Sequence, residues 1–386
     1  MLNLGGTIRE ISPEQTLERL QPLLWPKFGI TRVANITGLD HVNIPTYISI
    51  RPNSKTLSTS QGKGLSKPLA KISAIMESIE GWHAENVRAP DLMGSYHQLK
   101  NKYNLLPIEL LLMAREFMMT YEEVATRPIG WILAKDIIQE EDIYIPYPLV
   151  CLDSSNLPLG YEVFVSSSNG LAVGNTLEEA ICHGLYEVIE RDCNYYYYRY
   201  DANLLEKRAV DINSINCPHN RELIGRIRKA GLQIYIWDIS TDCGLPAFRV
   251  EIDDVGDIRN LGAFAGHGAH LSRTVALSRA ITEAVQSRLT FISGSRDDLM
   301  TSIYKNHISC HANYSSVMLR DFNECVKPKI PTNFSECIDT VKRMLKTYGI
   351  SRAIVFNHTK KGIEIPVVHV FIPEIKSEWR EHRRAR

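Results

Sequence analysis

Apolar residues recur at helical spacing in three long stretches of the chain, and these predict three long helices. The helices are expected at about 68–87, 176–198 and 271–292. A shorter helix should begin at Pro13, because Ser12 supplies a cap and proline suits the first helical position, and it should end near Pro26. Asn175 is the expected cap of the second long helix. Further helices are predicted at 107–118 and 333–348.

Alternating apolar and polar residues predict strands between the helices. The predicted strands lie within 30–60 and 130–165, and at 233–238, 248–252, 260–265, 353–357 and 367–371. Two glycine-rich stretches, 61–64 and 266–270, are predicted as turns. No low-complexity linker interrupts the chain, so it should form one α+β unit in which mixed sheets pack with long helices. Layers are expected at about 1–125, 126–295 and 296–386.

Charge and hydropathy exclude several kinds of partner. The chain has 44 Lys and Arg against 44 Asp and Glu, so it lacks the basic excess that nucleic-acid binding usually requires. Its longest apolar runs, at 110–114 and 365–372, fall far short of the ~20 residues of a membrane helix. With no signal pattern at the N-terminus and eight cysteines lacking any C-x-x-C pair, we expect a cytoplasmic protein with free thiols.

Each predicted long helix places polar side chains on one face. At about 100° per residue, the spacings bring the polar residues of each helix together. These residues are Ser73, Glu77 and Glu80 on the first helix, Asn175, Glu179, Glu187 and Glu190 on the second, and Arg279, Glu283 and Gln286 on the third. One such face alone is usually a solvated surface. Three of them, each after a turn rich in small residues, favour a binding site.

Clustered carboxylates among apolar residues favour Mg²⁺, because cations must neutralise them and Mg²⁺ prefers oxygen ligands. Magnesium often accompanies phosphate groups, which Arg191 and Arg279 could bind through their guanidinium forks. The usual nucleotide motifs are missing from the sequence, since neither the Gly62-Lys63-Gly64 stretch nor Gly266-x-Gly268 completes a P-loop or a Rossmann turn. The sequence therefore predicts a site for a nucleotide with Mg²⁺ that uses no P-loop.

Five ordered blocks together resemble the YcaO family over nearly the whole chain. The blocks are Gly62-Lys63-Gly64, the stretch from Ser73 to Glu80, the stretch from Ser168 to Thr176, Glu187-Val188-Ile189-Glu190-Arg191, and the stretch from Arg279 to Arg288. The resemblance implies a YcaO-type fold around a site for ATP and Mg²⁺. It also implies phosphorylation of a peptide backbone amide oxygen, which leads to azoline rings, amidines or thioamides.

Carried over position by position, the resemblance implies roles for individual residues. The implied Mg²⁺ ligands are Glu77, Glu80, Glu187, Glu190 and Glu283. Arg191 and Arg279 would contact phosphate, and together with Glu187 and Glu190 they form the expected catalytic set. The expected nucleotide-binding residues are Arg9, Thr16, Ser73, Asn175, Glu179, Arg191, Arg279 and Gln286. One departure is Gly81, where many family members have arginine after the second glutamate.

The branch of the family is indicated by two features. The last residues, 376–386, contain no proline, whereas azoline-forming members commonly end in a proline-rich tail. The stretch from Glu80 to Glu85 resembles members that work with a TfuA partner, which is thought to deliver sulfur. A thioamide-forming enzyme acting on a peptide or protein, with a TfuA-like partner, is therefore expected, and a homodimer is a further candidate assembly.

Three rival functions remain at this point. The same ATP chemistry with a Cys, Ser or Thr of the substrate as nucleophile would give an azoline. A noncatalytic peptide-binding scaffold would keep the fold and lose turnover. An acid–amine ligase that forms an acyl phosphate would share the acidic site and act on a free carboxylate.

Overall fold

The structure is a computed structural model that describes residues 1–111, 119–164, 166–254, 261–296, 298 and 319–375. The helices are α1 (Pro13–Leu20), α2 (Lys67–Glu85), α3 (Tyr96–Leu99), α4 (Tyr121–Thr126), α5 (Leu177–Tyr197), α6 (Ala202–Arg208), α7 (Pro218–Lys229), α8 (Arg273–Ser293) and α9 (Phe334–Thr347). The strands are β1 (Leu2–Asn3), β2 (Ile8–Arg9), β3 (Arg32–Asn35), β4 (Thr46–Ile50), β5 (Thr59–Lys63), β6 (Leu92–Gly94), β7 (Ile129–Asp136), β8 (Glu141–Pro146), β9 (Leu171–Val173), β10 (Gln233–Asp238), β11 (Ala247–Asp253), β12 (Ala263–Ala269), β13 (Ile354–Asn357) and β14 (Val367–Phe371).

The chain divides into two compact units. Unit 1 comprises Met1–Asn53, Leu57–Ser78 and Cys193–Asn333, and unit 2 comprises Ser54–Thr56, Ile79–Asp192 and Phe334–Arg386. Both α2 and α5 begin in one unit and end in the other. The organisation as one unit with three layers stays a prediction.

Unit 1 contains two three-stranded antiparallel sheets, each followed by a long helix. The strand orders are β3-β4-β5, which precedes α2, and β10-β11-β12, which precedes α8. We call these the first module and the second module. The core of unit 1 is built largely from the apolar face of α8, the strands of the second module, and α7.

Glycines on the last strand of each module bring that strand against its helix. A Cβ at Gly62 would lie 2.0 Å from the backbone N of Ala74, and one at Gly268 would lie 2.6 Å from the backbone N of Ala280. Glycine alone allows such an approach of strand to helix. The prediction of turns at 61–64 and 266–270 is therefore wrong, because most of these residues continue β5 and β12.

Unit 2 is built around a six-stranded sheet of order β6-β7-β13-β14-β9, with β8 also paired to β7. Its named strand pairs are antiparallel, and a parallel bridge joins Leu105 to Tyr144. The predicted strand at 161–165 is wrong for 161–164, where a turn places the N–H groups of Val163 and Phe164 on the Gly160 carbonyl. Both Val163 and Phe164 are buried, which a half-buried strand does not allow for neighbouring residues.

Most of the other element predictions are confirmed. The helix beginning at Pro13 has Ser12 as its cap, and the three long helices lie close to their predicted positions. Thr176, rather than Asn175, caps α5, since its hydroxyl accepts the Glu179 N–H at 3.2 Å. In the predicted helix at 107–118, Ile108–Leu110 form a 3₁₀ turn and residues 112–118 lie outside the described residues. The tail at 376–386 also lies outside them.

Candidate functional site

In unit 1, each module fixes one glutamate of its helix through a backbone N–H of its edge strand. The Gln61 N–H on β5 donates to Oε2 of Glu77 on α2 at 3.2 Å. The His267 N–H on β12 donates to Oε1 of Glu283 on α8, also at 3.2 Å. Within the part of the chain that the structure describes, β5 and β12 end their sheets, so these N–H groups have no neighbouring strand to bond. The carboxylates take that place, and one oxygen of each is oriented by the backbone.

Unit 2 fixes a third glutamate in the same way. The Val173 N–H donates to Oε1 of Glu80 at 2.9 Å, and β9, which contains Val173, also ends its sheet. Hydrogen bonds from an N–H to a carboxylate are among the stronger ones in proteins. Each of these glutamates was predicted from the resemblance to hold Mg²⁺, and each has one oxygen oriented by the backbone.

Lys63 is a cation that acts on both glutamates of unit 1. Its Nζ lies 2.5 Å from Oε2 of Glu283. Burial raises the pKa of Glu77 to about 7, while the charge of Lys63 and the Gln61 N–H act in the opposite direction. The Glu77 residue is nevertheless exposed to solvent. The carboxyl group is thus crowded by protein, incompletely neutralised, and reachable by an ion.

A polar network on β11 and β12 orients His267 beside Glu283. Arg249 donates to Nε2 of His267 at 2.8 Å and forms an ion pair with Glu251 at 2.6 Å. Since arginine can only donate, Nε2 must accept and the neutral ring carries its proton on Nδ1. That Nδ1 lies 3.6 Å from Oε1 of Glu283, so the network directs a donor at the same oxygen that the His267 N–H holds.

Arg279, predicted to contact phosphate, and Arg9, predicted to bind the nucleotide, both act on one buried histidine. Burial, followed by the positive charges of Arg279 and Arg9, lowers the pKa of His270 to about 3. The structure therefore brings Arg9 and Arg279 into one neighbourhood, although they are far apart in sequence. Such a pair of guanidinium groups suits a ligand that carries several negative charges.

The remaining predicted nucleotide residues of unit 1 differ in exposure. Thr16 is buried, and its hydroxyl donates to the Ser12 carbonyl at 3.0 Å, within the first turn of α1. Ser73 on α2 and Gln286 on α8 are half-buried. A role for Thr16 in binding a nucleotide stays a prediction. In the structure, the hydrogen bond of its hydroxyl group is part of the first turn of α1.

In unit 2, the start of α5 forms a compact polar group. The Asn175 amide donates to both carboxylate oxygens of Glu179 at 3.3 Å, and Glu179 is only 2% exposed. Further along α5, the guanidinium of Arg191 lies 3.8 Å from the carboxylate of Glu187, and Glu190 is buried. The polar residues predicted on one face of α5 thus lie in two groups along the helix. The two groups differ in burial and in the side chains they contact.

The donors fit Mg²⁺ in their chemistry, because carboxylate oxygens are the hard ligands this ion prefers. Glu77, with its raised pKa, has a charge that a divalent cation would stabilise. Among the described residues, no three His, Cys, Asp or Glu side chains lie close enough together to hold a metal ion. Binding would therefore require these side chains to turn toward the ion.

Sequence reasoning missed Lys63, His267 and Arg249 as members of this group. Lys63 and His267 each stand between two glycines, in stretches that were predicted as turns. The alternation of glycine with a larger residue is the signal that could have identified them. In a strand, two glycines on one face place the residue between them on the other face. Arg249 carries no local signal, because its contacts come from cross-strand pairing with His267.

A family model described as YcaO cyclodehydratase, ATP- and Mg²⁺-binding, matches residues 61–376. The chain belongs to the YcaO family. An uncharacterized protein in the tfuA 3′ region of Rhizobium leguminosarum bv. trifolii is 35% identical over 379 residues, which cover 95% of this chain and 88% of that protein. The family membership expected from the sequence is thus confirmed.

Solved structures of YcaO proteins share the fold. YcaO from Methanopyrus kandleri, bound with AMPPCP and Mg²⁺, has a TM-score of 0.73 at 19% identity and covers 97% of this chain and 94% of that one. A heterocyclase in complex with substrate and cofactor has a TM-score of 0.75 at 23% identity, and it covers 96% of this chain. This chain spans 53% of that heterocyclase. The expected fold class is confirmed.

Two smaller predictions concern membranes and thiols. None of the helices in the described parts of the chain is long and apolar enough to cross a membrane. The described cysteines are free, and Cys310 lies outside the described residues. The predicted roles of individual residues in binding ATP and Mg²⁺ stay predictions.

Proposed function

We propose that this YcaO protein uses ATP and Mg²⁺ to phosphorylate a backbone amide oxygen of a peptide or protein, so that sulfur can replace that oxygen. The observation that carries the proposal is the set of three glutamates, Glu77, Glu80 and Glu283, each oriented by a backbone N–H of an edge strand. Held carboxylates of this kind suit the binding of a hard cation.

In this proposal the chain contributes charge and position rather than a nucleophile. The glutamates supply negative charge for Mg²⁺, which when bound would stabilise the charge of the transferring phosphoryl group. Arg9 and Arg279 in unit 1, and Arg191 in unit 2, supply guanidinium groups for phosphate oxygens. Phosphoryl transfer needs mainly such positioning and electrostatic stabilisation, so it requires no reactive cysteine.

The reaction balances in two steps. The amide oxygen attacks the γ-phosphorus of ATP, the bond from that phosphorus to the bridging oxygen breaks, and ADP leaves while the amide nitrogen loses its proton. A sulfide sulfur then attacks the activated amide carbon. The carbon–oxygen bond breaks and phosphate leaves. The proton that the hydrosulfide brought moves to the amide nitrogen, and the product is a thioamide.

Sulfur chemistry is supported by the relative in the tfuA 3′ region, because a neighbouring gene often encodes a partner. A TfuA-like protein would then deliver sulfur to this chain. The peptide substrate, the partner and a homodimeric state all remain parts of the proposal.

Azoline formation is the second candidate. The family description as a cyclodehydratase and the fold shared with a heterocyclase favour it. In that reaction a side chain of the substrate, rather than sulfide, attacks the activated carbon, and the peptide loses one water.

Calorimetric titration of ATP with and without Mg²⁺ tests the proposed site. A Glu187→Gln, Glu190→Gln double variant should lose Mg²⁺-dependent ATP binding by at least about tenfold, because two of the five expected carboxylate ligands lose their charge while the shape of the side chains is kept. Glu178→Gln on the exposed first turn of α5 is the matched control and should bind as the wild type does. Equal binding by the double variant and the wild type would show that the site is assigned wrongly.

Mass spectrometry of a peptide treated with the protein, ATP, sulfide and a TfuA-like partner separates the candidate products. Exchange of oxygen for sulfur raises the peptide mass, whereas ring formation removes one water. A protein that binds peptide without consuming ATP would be a scaffold. Consumption of ATP with a free carboxylate and an amine, but not with an amide, would indicate a ligase.

A further inference from the structure

Lys63 projects from an edge strand toward the proposed metal site. Its neighbours Gly62 and Gly64 both face α2, where added Cβ atoms would lie within 3.0 Å of helix atoms. Because side chains alternate along a strand, Lys63 lies on the opposite face of β5. Its ammonium group reaches Glu283 on α8.

The two carboxylate oxygens of Glu283 have different partners. Oε1 accepts the His267 N–H at 3.2 Å, and Nδ1 of the same histidine lies 3.6 Å away. Oε2 is 2.5 Å from Nζ of Lys63. The first oxygen is held by the backbone of β12, which cannot leave without breaking the sheet. The second lies against the flexible side chain of Lys63.

We propose that Lys63 is an internal cation that occupies Oε2 of Glu283 in the metal-free protein and gives up this oxygen when Mg²⁺ binds. This inference rests on the proposed function, because it takes Glu283 to be a ligand of Mg²⁺. The released ammonium group then no longer pairs with Glu283. Lys63 is thus a positioning residue for the metal-free state.

Burial and charge support this exchange. The side chains of Lys63 and Glu283 are 20% and 28% exposed, so the pair is partly shielded from water while an ion can still reach it. The same ammonium group also acts on Glu77, whose carboxyl group feels its positive charge. One lysine therefore offsets part of the negative charge of two acidic neighbours, and a divalent cation, with twice its charge, can replace it.

Calorimetric titration of Mg²⁺ alone, without nucleotide, into wild type, Lys63→Met and Lys63→Arg tests the proposal. Methionine keeps the length of the side chain and removes the competing charge, so Lys63→Met should bind Mg²⁺ about tenfold more tightly than the wild type. Lys63→Arg keeps the charge and should stay near the wild type. The matched control is Lys342→Met, which removes a lysine of 17% exposure paired with Glu140 at 3.1 Å and should change nothing.

A second readout is the midpoint of thermal unfolding in a chelator and in excess Mg²⁺. Lys63→Met should be less stable than the wild type in the chelator, since two carboxylates lose their cation, and should gain more from Mg²⁺. If folded Lys63→Met binds Mg²⁺ no more tightly than the wild type, Lys63 does not compete and the inference is overturned. Wild-type binding of ATP with Mg²⁺ would then still support the proposed function. Its absence from every variant would refute both.

Discussion

In unit 1, β5 precedes α2 and β12 precedes α8, and the two pairs share their backbone geometry. In each, a residue of the edge strand donates its N–H to a glutamate sixteen positions further along the chain. In each, a glycine follows that residue and lets the helix approach the strand closely. The two modules therefore place a carboxylate at the same position relative to their sheets.

The modules differ in the charges around that carboxylate. Glu283 pairs with Lys63 at 2.5 Å, whereas burial raises the pKa of Glu77 to about 7. The position in the second module that matches Lys63 holds Ala269. Equal backbone geometry thus gives two carboxylates in different electrostatic surroundings. The backbone determines where each carboxylate lies, and the side chains around it determine its charge.

The strongest test of the shared geometry is the addition of one methyl group to each module. Gly62→Ala and Gly268→Ala would place a Cβ 2.0 Å from the Ala74 N and 2.2 Å from the Ala276 carbonyl oxygen. Each should lower the free energy of unfolding by more than about 4 kcal/mol, because backbone atoms must move. Urea denaturation followed by circular dichroism measures this loss.

Gly225→Ala is the control for these glycine variants. Gly225 lies within α7, and a Cβ there would meet no atom within 4 Å. Alanine should stabilise the helix by up to about 1 kcal/mol. Full stability of either Gly62→Ala or Gly268→Ala would show that the close strand–helix contact of that module is not what the structure describes.

A second test concerns a charge network found on α8. Arg288 is buried and pairs with Asp40 at 3.0 Å and Asp254 at 2.8 Å, whereas the matching residue of α2 is Trp82. Arg288→Met should lower the free energy of unfolding by about 3–5 kcal/mol, since two buried carboxylates lose their cation.

Arg226→Met is the control for the buried network. Arg226 pairs with Glu222 at 2.6 Å on the exposed side of α7, so its loss should cost less than about 1 kcal/mol. A similar loss in both variants, measured by urea denaturation, would contradict a special role for the buried network.

The smallest expected effect is a pH dependence of stability that arises in the second module and not in the first. His270 follows β12, while its matching residue after β5 is Gly64. Burial and the charges of Arg279 and Arg9 lower the pKa of His270 to about 3, so protonation favours the unfolded chain. Below pH 6.5, this histidine should reduce the free energy of unfolding by about 1.4 kcal/mol per pH unit, until the pH nears 3.

His270→Gln should flatten the fall in stability between pH 6.5 and 4.5 by that slope, as measured by denaturation at each pH. The exposed His219, substituted by Gln, is the control and should leave the slope unchanged. Buried His358 and His369, whose pKa values are also lowered, act equally in wild type and variants. An unchanged slope in His270→Gln would mean that His270 is protonated without cost.

The long helices were predictable because their apolar residues repeat every three or four positions over many turns. The relationship between the two modules is also present in the sequence, although the predicted turns did not show it. The matching identical pairs are Gly62 and Gly268, Leu65 and Leu271, Ser66 and Ser272, Ala70 and Ala276, Ala74 and Ala280, Ile75 and Ile281, and Glu77 and Glu283. Comparison of the two stretches would have placed both glycines in strands before helices.

The turn predictions failed for a physical reason that applies to both modules. Glycine permits turns, and it also permits close approach of a helix to a strand, so its presence alone does not distinguish the two. The small residues Ala74 and Ala280 on the facing helices show which use applies here. Such a pairing becomes visible only when strand and helix are considered together.

The YcaO family, the long helices and the acidic residues on their faces could be predicted from the sequence, because helical spacing and ordered motifs are local properties of a chain. The donors that contact those residues depend on the tertiary structure. Lys63 and Glu283 are 220 positions apart, and the bond between them depends on how β5 and α8 pack within unit 1. Edge-strand amides orient the glutamates for the same reason: an N–H group is available only where a sheet ends, and no single strand shows where that is.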